Sequence, residues 1–244
     1  MNAAQRVGGN DRDGGVRREA LRVLSDEVAQ CRLCPRLVAW REETATVKRA
    51  AFADEDYWGR GVPGFGDPAG AVVLVGLAPA AHGANRTGRM FTGDRSGDFL
   101  YSALHRCGFA NQPTSVRAGD GLALRDAYIT AAVRCAPPAN KPTPAERDTC
   151  RPFLERELAL LSNARVAVAL GAFAYGVLCG FAGIRPRPRF GHGTTVKAPS
   201  LGSISHIVCS FHPSQQNTFT GRLTPEMADT VLLHARRLAN LPPA

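Results

Sequence analysis

Ala71-Val72-Val73-Leu74-Val75-Gly76-Leu77-Ala78-Pro79-Ala80 is the stretch that decides the fold. A short apolar run up to Val75 meets a glycine, and a proline follows three places later, so the run reads as a strand that ends at Gly76. Glycines recur at Gly83, Gly88, Gly93 and Gly97, and then Phe99, Leu100, Ala103, Leu104 and Cys107 follow at helical spacing. The order is strand, glycine-rich loop, helix. In an open α/β sheet ligands bind here, beyond the carboxyl end of a strand and beside the N-terminus of the next helix.

Downstream the alternation repeats. Gly108 suits a helix C-terminal cap, 111–121 reads as loop, and Ala127 to Val133 is a second strand. Thr143-Pro144-Ala145-Glu146 carries a capping threonine, a proline at the first helical position and a glutamate three residues after the cap. A helix is expected from there to about Ser162. Arg165 to Leu170 and His206 to Phe211 are further strands, with a helix over Ala172 to Gly180 and a basic loop over Arg185 to Gly193 between them. Thr224-Pro225-Glu226 opens a last helix toward Leu238. Such alternation predicts an α/β fold with a mostly parallel sheet covered on both faces, and it brings Gly76, Arg134 and His212 to one edge.

Upstream, Ala20, Leu21, Leu24 and Val28 mark an amphipathic helix over Arg17 to Gln30, and 42–70 is rich in turn formers and reads as loop. Residues 1–16 are polar and glycine-rich and read as a disordered tail, which leaves one domain over 17–240. The 244 residues carry a net charge of +9, which points to an acidic partner, nucleic acid first among them. No segment is long and apolar enough for a membrane span, and no apolar signal core begins the chain, so a cytoplasmic protein is expected.

Seven cysteines in such a chain point to metal binding or core use rather than a disulfide framework. Cys31 and Cys34 form a C-x-x-C pair at a helix end, Cys135 follows the second strand, and Cys150 lies on the capped helix. Four thiolates from two distant pairs suit zinc or a four-iron cluster. Cys107, Cys179 and Cys209 fall on apolar faces and read as core.

Several long motifs, in order, carry a resemblance. Gly76-Leu77-Ala78-Pro79-Ala80, Gly83-Ala84-Asn85-Arg86-Thr87-Gly88-Arg89, Phe91-Thr92-Gly93-Asp94 and His212-Pro213-Ser214-Gln215-Gln216-Asn217-Thr218-Phe219-Thr220-Gly221 closely resemble the type B, or family 5, uracil-DNA glycosylases. Trp58-Gly59-Arg60, 63–68, 128–138 and 189–193 are similar to that family too. The resemblance implies one domain with a central four-stranded parallel sheet flanked by helices on both faces. It implies a structural [4Fe-4S] cluster held by Cys31, Cys34, Cys135 and Cys150. It further implies excision of uracil, with hypoxanthine and some damaged pyrimidines, from double-stranded DNA, by a protein expected to be monomeric.

An enzyme of this kind must take the nucleotide out of the stack. Gly76, Leu77, Ala78, Pro79 and Ala80 would form the pocket, and by resemblance Phe91 stacks on the base while His212 donates to the uracil oxygen that becomes anionic. Better-known uracil-DNA glycosylases carry an aspartate at the position of Ala78, so that general base is absent. Asp94 and Asn140 are the polar residues that could hold the water, and Asp94 equally suits a helix cap. Ser214 to Arg222 would form a wedge in the minor groove, with Gln215, Gln216 and Asn217 able to touch base edges and Arg222 able to reach phosphate, and Arg189 belongs to a basic strip with Arg185 and Arg187. The rival reading is a non-catalytic, metal-containing module that only binds nucleic acid.

Overall fold

In the computed structural model residues 7–244 are described, with side chains from Gly14 onward. Of the tail expected over 1–16, residues 1–6 lie outside the described residues. The first helix, α1, is drawn over Val7–Gln30, earlier than its apolar face at Ala20 to Val28 announces. It is followed by α2 (Pro35–Val47), β1 (Phe65–Gly66), β2 (Val72–Gly76), α3 (Ala84–Thr87), α4 (Arg95–Arg106) and β3 (Ala127–Ala131). The chain continues with α5 (Pro144–Leu160), β4 (Val166–Leu170), α6 (Ala172–Phe181), β5 (Thr195–Leu201), β6 (Ile204–Ser210), α7 (Gln215–Phe219) and α8 (Pro225–Leu238).

The sheet has the order β1-β3-β2-β4-β6-β5. Its centre is the expected parallel set: β2 pairs with β3 and with β4, and β4 with β6. Every residue of β2, β3 and β4 is buried, which explains their continuous apolar runs. Alternation along β2 sends Val72 and Leu74 to the face covered by α4 and α8, where Leu100, Leu104, Val231 and Leu232 lie. Val73 and Val75 go to the other, under Leu21 of α1, Leu154 of α5 and Leu178 of α6.

Two edges correct the four-stranded expectation. Phe65–Gly66 pairs antiparallel with β3, and Thr195–Leu201 pairs antiparallel with β6. Two-residue β1 sits inside a turn-rich stretch. β5 is an exposed edge with Lys197, Pro199 and a register shift, devices that blunt an edge strand and also erase its apolar signal. A third correction is α2, where 42–70 was expected as loop; its first half follows Pro35 at the N-terminal turn. Leu37, Val38, Arg41 and Thr44 form its buried face.

The capping assignments hold in detail. Thr143 Oγ1 accepts from the Glu146 amide at 3.2 Å while the Glu146 carboxylate accepts from the Thr143 amide at 2.7 Å. Thr224 Oγ1 accepts from the Met227 amide at 3.3 Å. Among the described residues no helix is long and apolar enough to cross a membrane.

Inside the α5 face lies one polar knot. Glu157 accepts from Thr130 Oγ1 at 2.5 Å and Tyr128 OH at 3.2 Å and pairs with the buried Arg134 through both of its oxygens. Both side chains of that pair are almost fully buried. Removing one charge of such a pair strands the other. Glu157→Gln is therefore expected to lower the unfolding free energy by about 3–5 kcal/mol, read from urea unfolding followed by circular dichroism. A loss below about 1 kcal/mol would show that Arg134 does not depend on the carboxylate.

Candidate active site

The loop after β2 is folded unusually close to the strand end. A Cβ on Gly76 would stand 2.9 Å from Cζ of Phe91, one on Gly83 would stand 1.9 Å from the Asp94 carboxylate, and one on Gly97 would stand 1.9 Å from the Phe91 carbonyl oxygen. These glycines let a ring, a carboxylate and a turn of backbone occupy space that any side chain would fill. Phe91 itself adopts φ 52°, a left-handed conformation that an aromatic residue rarely holds.

His212 follows β6 and reaches the same place. Its ring lies 5.8 Å from that of Phe91, tilted by 36°. Gly171, at φ 98° after β4, leaves room for it, since a Cβ there would be 3.3 Å from the His212 Cβ. Burial lowers the His212 pKa from its ordinary 6.5 to about 4, so the imidazole is neutral at pH 7 and one ring nitrogen carries a hydrogen. The Asn217 amide donates to the His212 carbonyl at 2.8 Å and fixes the backbone.

Asp94 caps α4, accepting from the Gly97 amide at 2.9 Å. Burial raises its pKa, against the opposing pull of the Gly97 and Ser96 amides. It opens on a cleft of about 940 Å³ that also meets Ala80, Asn140, Ser214, Gln215 and Gln216. The chain makes this cleft from the β2 loop, the turn after β3 and the start of α7. Arg86 forms part of its wall and is held in place by Glu55, the Gly93 carbonyl and the Phe52 ring.

Residues 63–236 match the family model described as the uracil DNA glycosylase superfamily. A Mycobacterium bovis protein named type-5 uracil-DNA glycosylase is 58% identical over 221 residues, which cover 89% of this chain and 81% of that relative. The chain belongs to the uracil-DNA glycosylase superfamily. A Thermus thermophilus protein of the same type-5 name is 55% identical over 86% of this chain and 94% of its own. A Thermotoga maritima protein named type-4 uracil-DNA glycosylase is only 30% identical, over 65% of this chain and 66% of its own. Membership therefore falls in the type-5 group.

Against that family background, the fold gathers most of the residues nominated from sequence. Gly76, Leu77, Pro79, Phe91 and His212 stand at the strand ends, and Asp94, Asn140, Ala80, Ser214, Gln215 and Gln216 line one cleft. Ala78 departs from this group, for it packs toward Leu37, Val133, Cys135 and Cys150. Arg222 is exposed and lies over Phe211 at 4.6 Å. Arg189 is exposed on its loop, while Arg187 joins Arg147 and Arg151 around a separate hollow of about 310 Å³ between α5 and α6. Phe219 lies inside the wedge expected over Ser214 to Arg222 but was not singled out there. It is 75% exposed and stands one helical turn beyond Gln215 and Gln216 on α7, so its ring shares their side of the short helix. An apolar ring exposed beside a polar pair was the available signal.

The four nominated cysteines also meet. Cys31, Cys34, Cys135 and Cys150 line one small cavity with Leu37, Val133 and Phe153, and all four thiols are free. Cys135 Sγ accepts from Arg41 Nη1 at 2.9 Å and Cys150 Sγ from the Arg134 amide at 3.3 Å. Among the described residues no three His, Cys, Asp or Glu side chains converge on a position for one metal ion. Burial raises the Cys34 and Cys135 thiols and pushes that of Cys150 up to about 12.

The His212 shift fixes a pH dependence. Its folded-state pKa is depressed, so between pH 6.5 and about 4 the unfolded chain takes up a proton that the folded chain refuses, and stability falls as pH drops through that window. The His212 imidazole resonance is expected to titrate by NMR with a midpoint near 4. A midpoint at or above 6.5 would contradict the neutral, desolvated imidazole.

Proposed function

We propose that this chain is a DNA-repair glycosylase that flips uracil out of double-stranded DNA and hydrolyses its N-glycosidic bond, leaving an abasic site. The same pocket accepts hypoxanthine and some damaged pyrimidines, and the protein works as a monomer in the cytoplasm. The observation that carries the reading is Phe91 and the neutral His212 side by side at the bare end of β2. Relatives named for uracil-DNA glycosylase activity support the substrate.

The reaction breaks the bond between C1′ of the sugar and the base nitrogen, and the electron pair leaves with the base. Phe91 offers a flat face to the extruded base, and the His212 N–H donates to the carbonyl oxygen on which negative charge grows. A neutral donor gains strength as that charge develops without having to surrender its own proton. Water adds to C1′ from the cleft, where Asp94 and Asn140 are among the polar groups and are the two proposed to hold it, and loses its proton there. No lysine stands in the loop motifs as a Schiff-base nucleophile, so the strand is left uncut. α7 brings Gln215 and Gln216 toward base edges and Phe219 toward the gap in the stack, an apolar wedge of the kind that props open a kinked duplex. Arg147, Arg151 and Arg187 around one hollow, with the exposed Arg189 on its loop, offer the positive surface for flanking phosphates.

A uracil-containing duplex incubated with the protein and then treated with alkali is expected to break at the uracil. Intact strands at ample enzyme would overturn the reading and favour a module that only binds. His212→Ala is expected to slow base release by about 10²–10³-fold with duplex affinity nearly unchanged. Phe219→Ala is expected to do the reverse, weakening binding more than it slows the bound complex. Equal losses in rate and affinity for His212→Ala would remove its transition-state role.

The same reading assigns a [4Fe-4S] cluster to Cys31, Cys34, Cys135 and Cys150. Four free thiols around one cavity, two already accepting N–H donors, suit a group that takes one thiolate at each iron. When bound, it supplies a covalent cross-link among the α1–α2 junction, the end of β3 and α5. The purified chain is expected to be brown and to contain iron, and Cys135→Ser to be colourless and less stable. A folded, colourless wild type containing zinc would overturn the assignment.

A further inference from the structure

We propose that Arg41 is the buried counter-ion and hydrogen-bond donor that positions the cysteine-held cluster, an inference that rests on the cluster reading above. Arg41 is 1% exposed, on the inner face of α2. Its Nη1 donates to Cys135 Sγ at 2.9 Å and its Nη2 to the Cys31 carbonyl at 2.8 Å, and its Nε–H is buried without a partner. One side chain thus ties together the two cysteine pairs that lie about a hundred residues apart in sequence.

A guanidinium never gives up its proton in a protein, so burying it requires an anion or a dense set of acceptors. Buried Arg86, Arg89 and Arg134 each have a carboxylate, from Glu55, Asp120 and Glu157. Arg236 lacks one but sits in the last turn of α8, where two carbonyls and the helix C-terminus offset its charge. Among the described residues Arg41 has no carboxylate, and its one carbonyl acceptor is that of Cys31 at the C-terminal end of α1. The nearby carboxylates are engaged elsewhere, Glu42 by Arg32 and Glu146 by Arg36. What faces Arg41 is sulfur. Neutral thiols would leave the cation only the partial negative charge of one helix-end carbonyl, whereas four thiolates on a cluster carry net negative charge and could also take the idle Nε–H.

Arg41 also has a second attachment. Its carbonyl accepts from the Asn85 side-chain amide at 3.2 Å, and the fully buried Asn85 lies on α3, in the loop that leads to Phe91. The helix that steadies the cluster is therefore bolted to the pocket loop.

The test uses the full chain as purified, with Arg41→Met and Arg41→Lys. Iron release to a chelator, visible absorbance and the cluster midpoint potential are read alongside circular dichroism. Arg41→Met is expected to release iron between about 10- and 100-fold faster, as loss of an outer-shell partner typically does. Its midpoint potential should fall, because a buried positive charge no longer favours the reduced cluster. Arg41→Lys keeps the charge but cannot span Cys135 and Cys31, so its potential should stay near wild type while iron release is faster. An iron-containing wild type whose Arg41→Met variant matches it in release rate and potential overturns this proposal alone. Wild-type protein purified without iron overturns the cluster reading and this one together. Should Arg41→Met not fold, Arg41→Lys decides, and unchanged iron release in it overturns the proposal.

Discussion

The site depends on contacts that exist only because Cβ atoms are missing. Phe91 rests on the bare Cα of Gly76, the Asp94 carboxylate lies against Gly83, and the first turn of α4 crosses the Phe91 carbonyl at Gly97. These three contacts fold the loop back onto the strand end that it has just left. They also account for Phe91 at φ 52°, since a ring pinned against Gly76 on one side and backbone pinned at Gly97 on the other leave it little choice. Strain of this kind persists only where its surroundings over-determine it. Here it holds an aromatic face rigid at the sheet edge, which a pocket for a flat base requires.

Around that loop the fold uses buried arginines as fasteners. Arg86 and Arg89 hold the loop from below, through Glu55, the Gly93 carbonyl, Asp120 and Thr92. Arg134 locks β3 to α5 through Glu157, immediately before Cys135. Buried ion pairs contribute little net stability compared with apolar packing, yet each is costly to break from one side. Their effect is to make alternative loop positions expensive. A chain with a net charge of +9 thereby spends several of its cations internally and leaves others, such as Arg147, Arg151, Arg187 and Arg189, on the surface.

What could be read from sequence follows the same physics. The four central strands were legible because burial on both faces demands unbroken apolar runs, as in Val72–Gly76 and Val166–Leu170. The helix starts at Thr143 and Thr224 were legible because capping is a local chemistry. β5 was not, since an edge strand with Lys197 and Pro199 resembles a loop in composition. α2 was hidden by Arg41 and Thr44, polar residues on its buried side, which broke the apolar period. One partner that draws Arg41 into the interior, Cys135, lies far away in sequence. Phe219 fell within the segment read as the wedge, but only the structure shows that its ring is exposed with nothing to pack against.

The position of Ala78 bears on how water is activated. Ala78 packs against the hydrophobic cluster of Leu37, Val133, Cys135 and Cys150 and does not line the cleft with Asp94 and Asn140. The loop after Gly76 thus borders two places, the Phe91 and His212 rings and the hydrophobic cluster that holds Cys135 and Cys150. A carboxylate at 78 would have to be buried beside thiols that burial already keeps protonated, or beside thiolates that would repel it. The proposed cluster and a general base at that position are therefore in electrostatic conflict. Asp94 avoids the conflict from the opposite wall, at the head of α4, where helix amides temper the cost of its burial. Moving the carboxylate to a helix cap sacrifices some basicity, because one oxygen is committed to the Gly97 amide. Under the proposed reading, an apolar strand end would discriminate among flat bases less strictly than a ring of fixed hydrogen-bonding groups would.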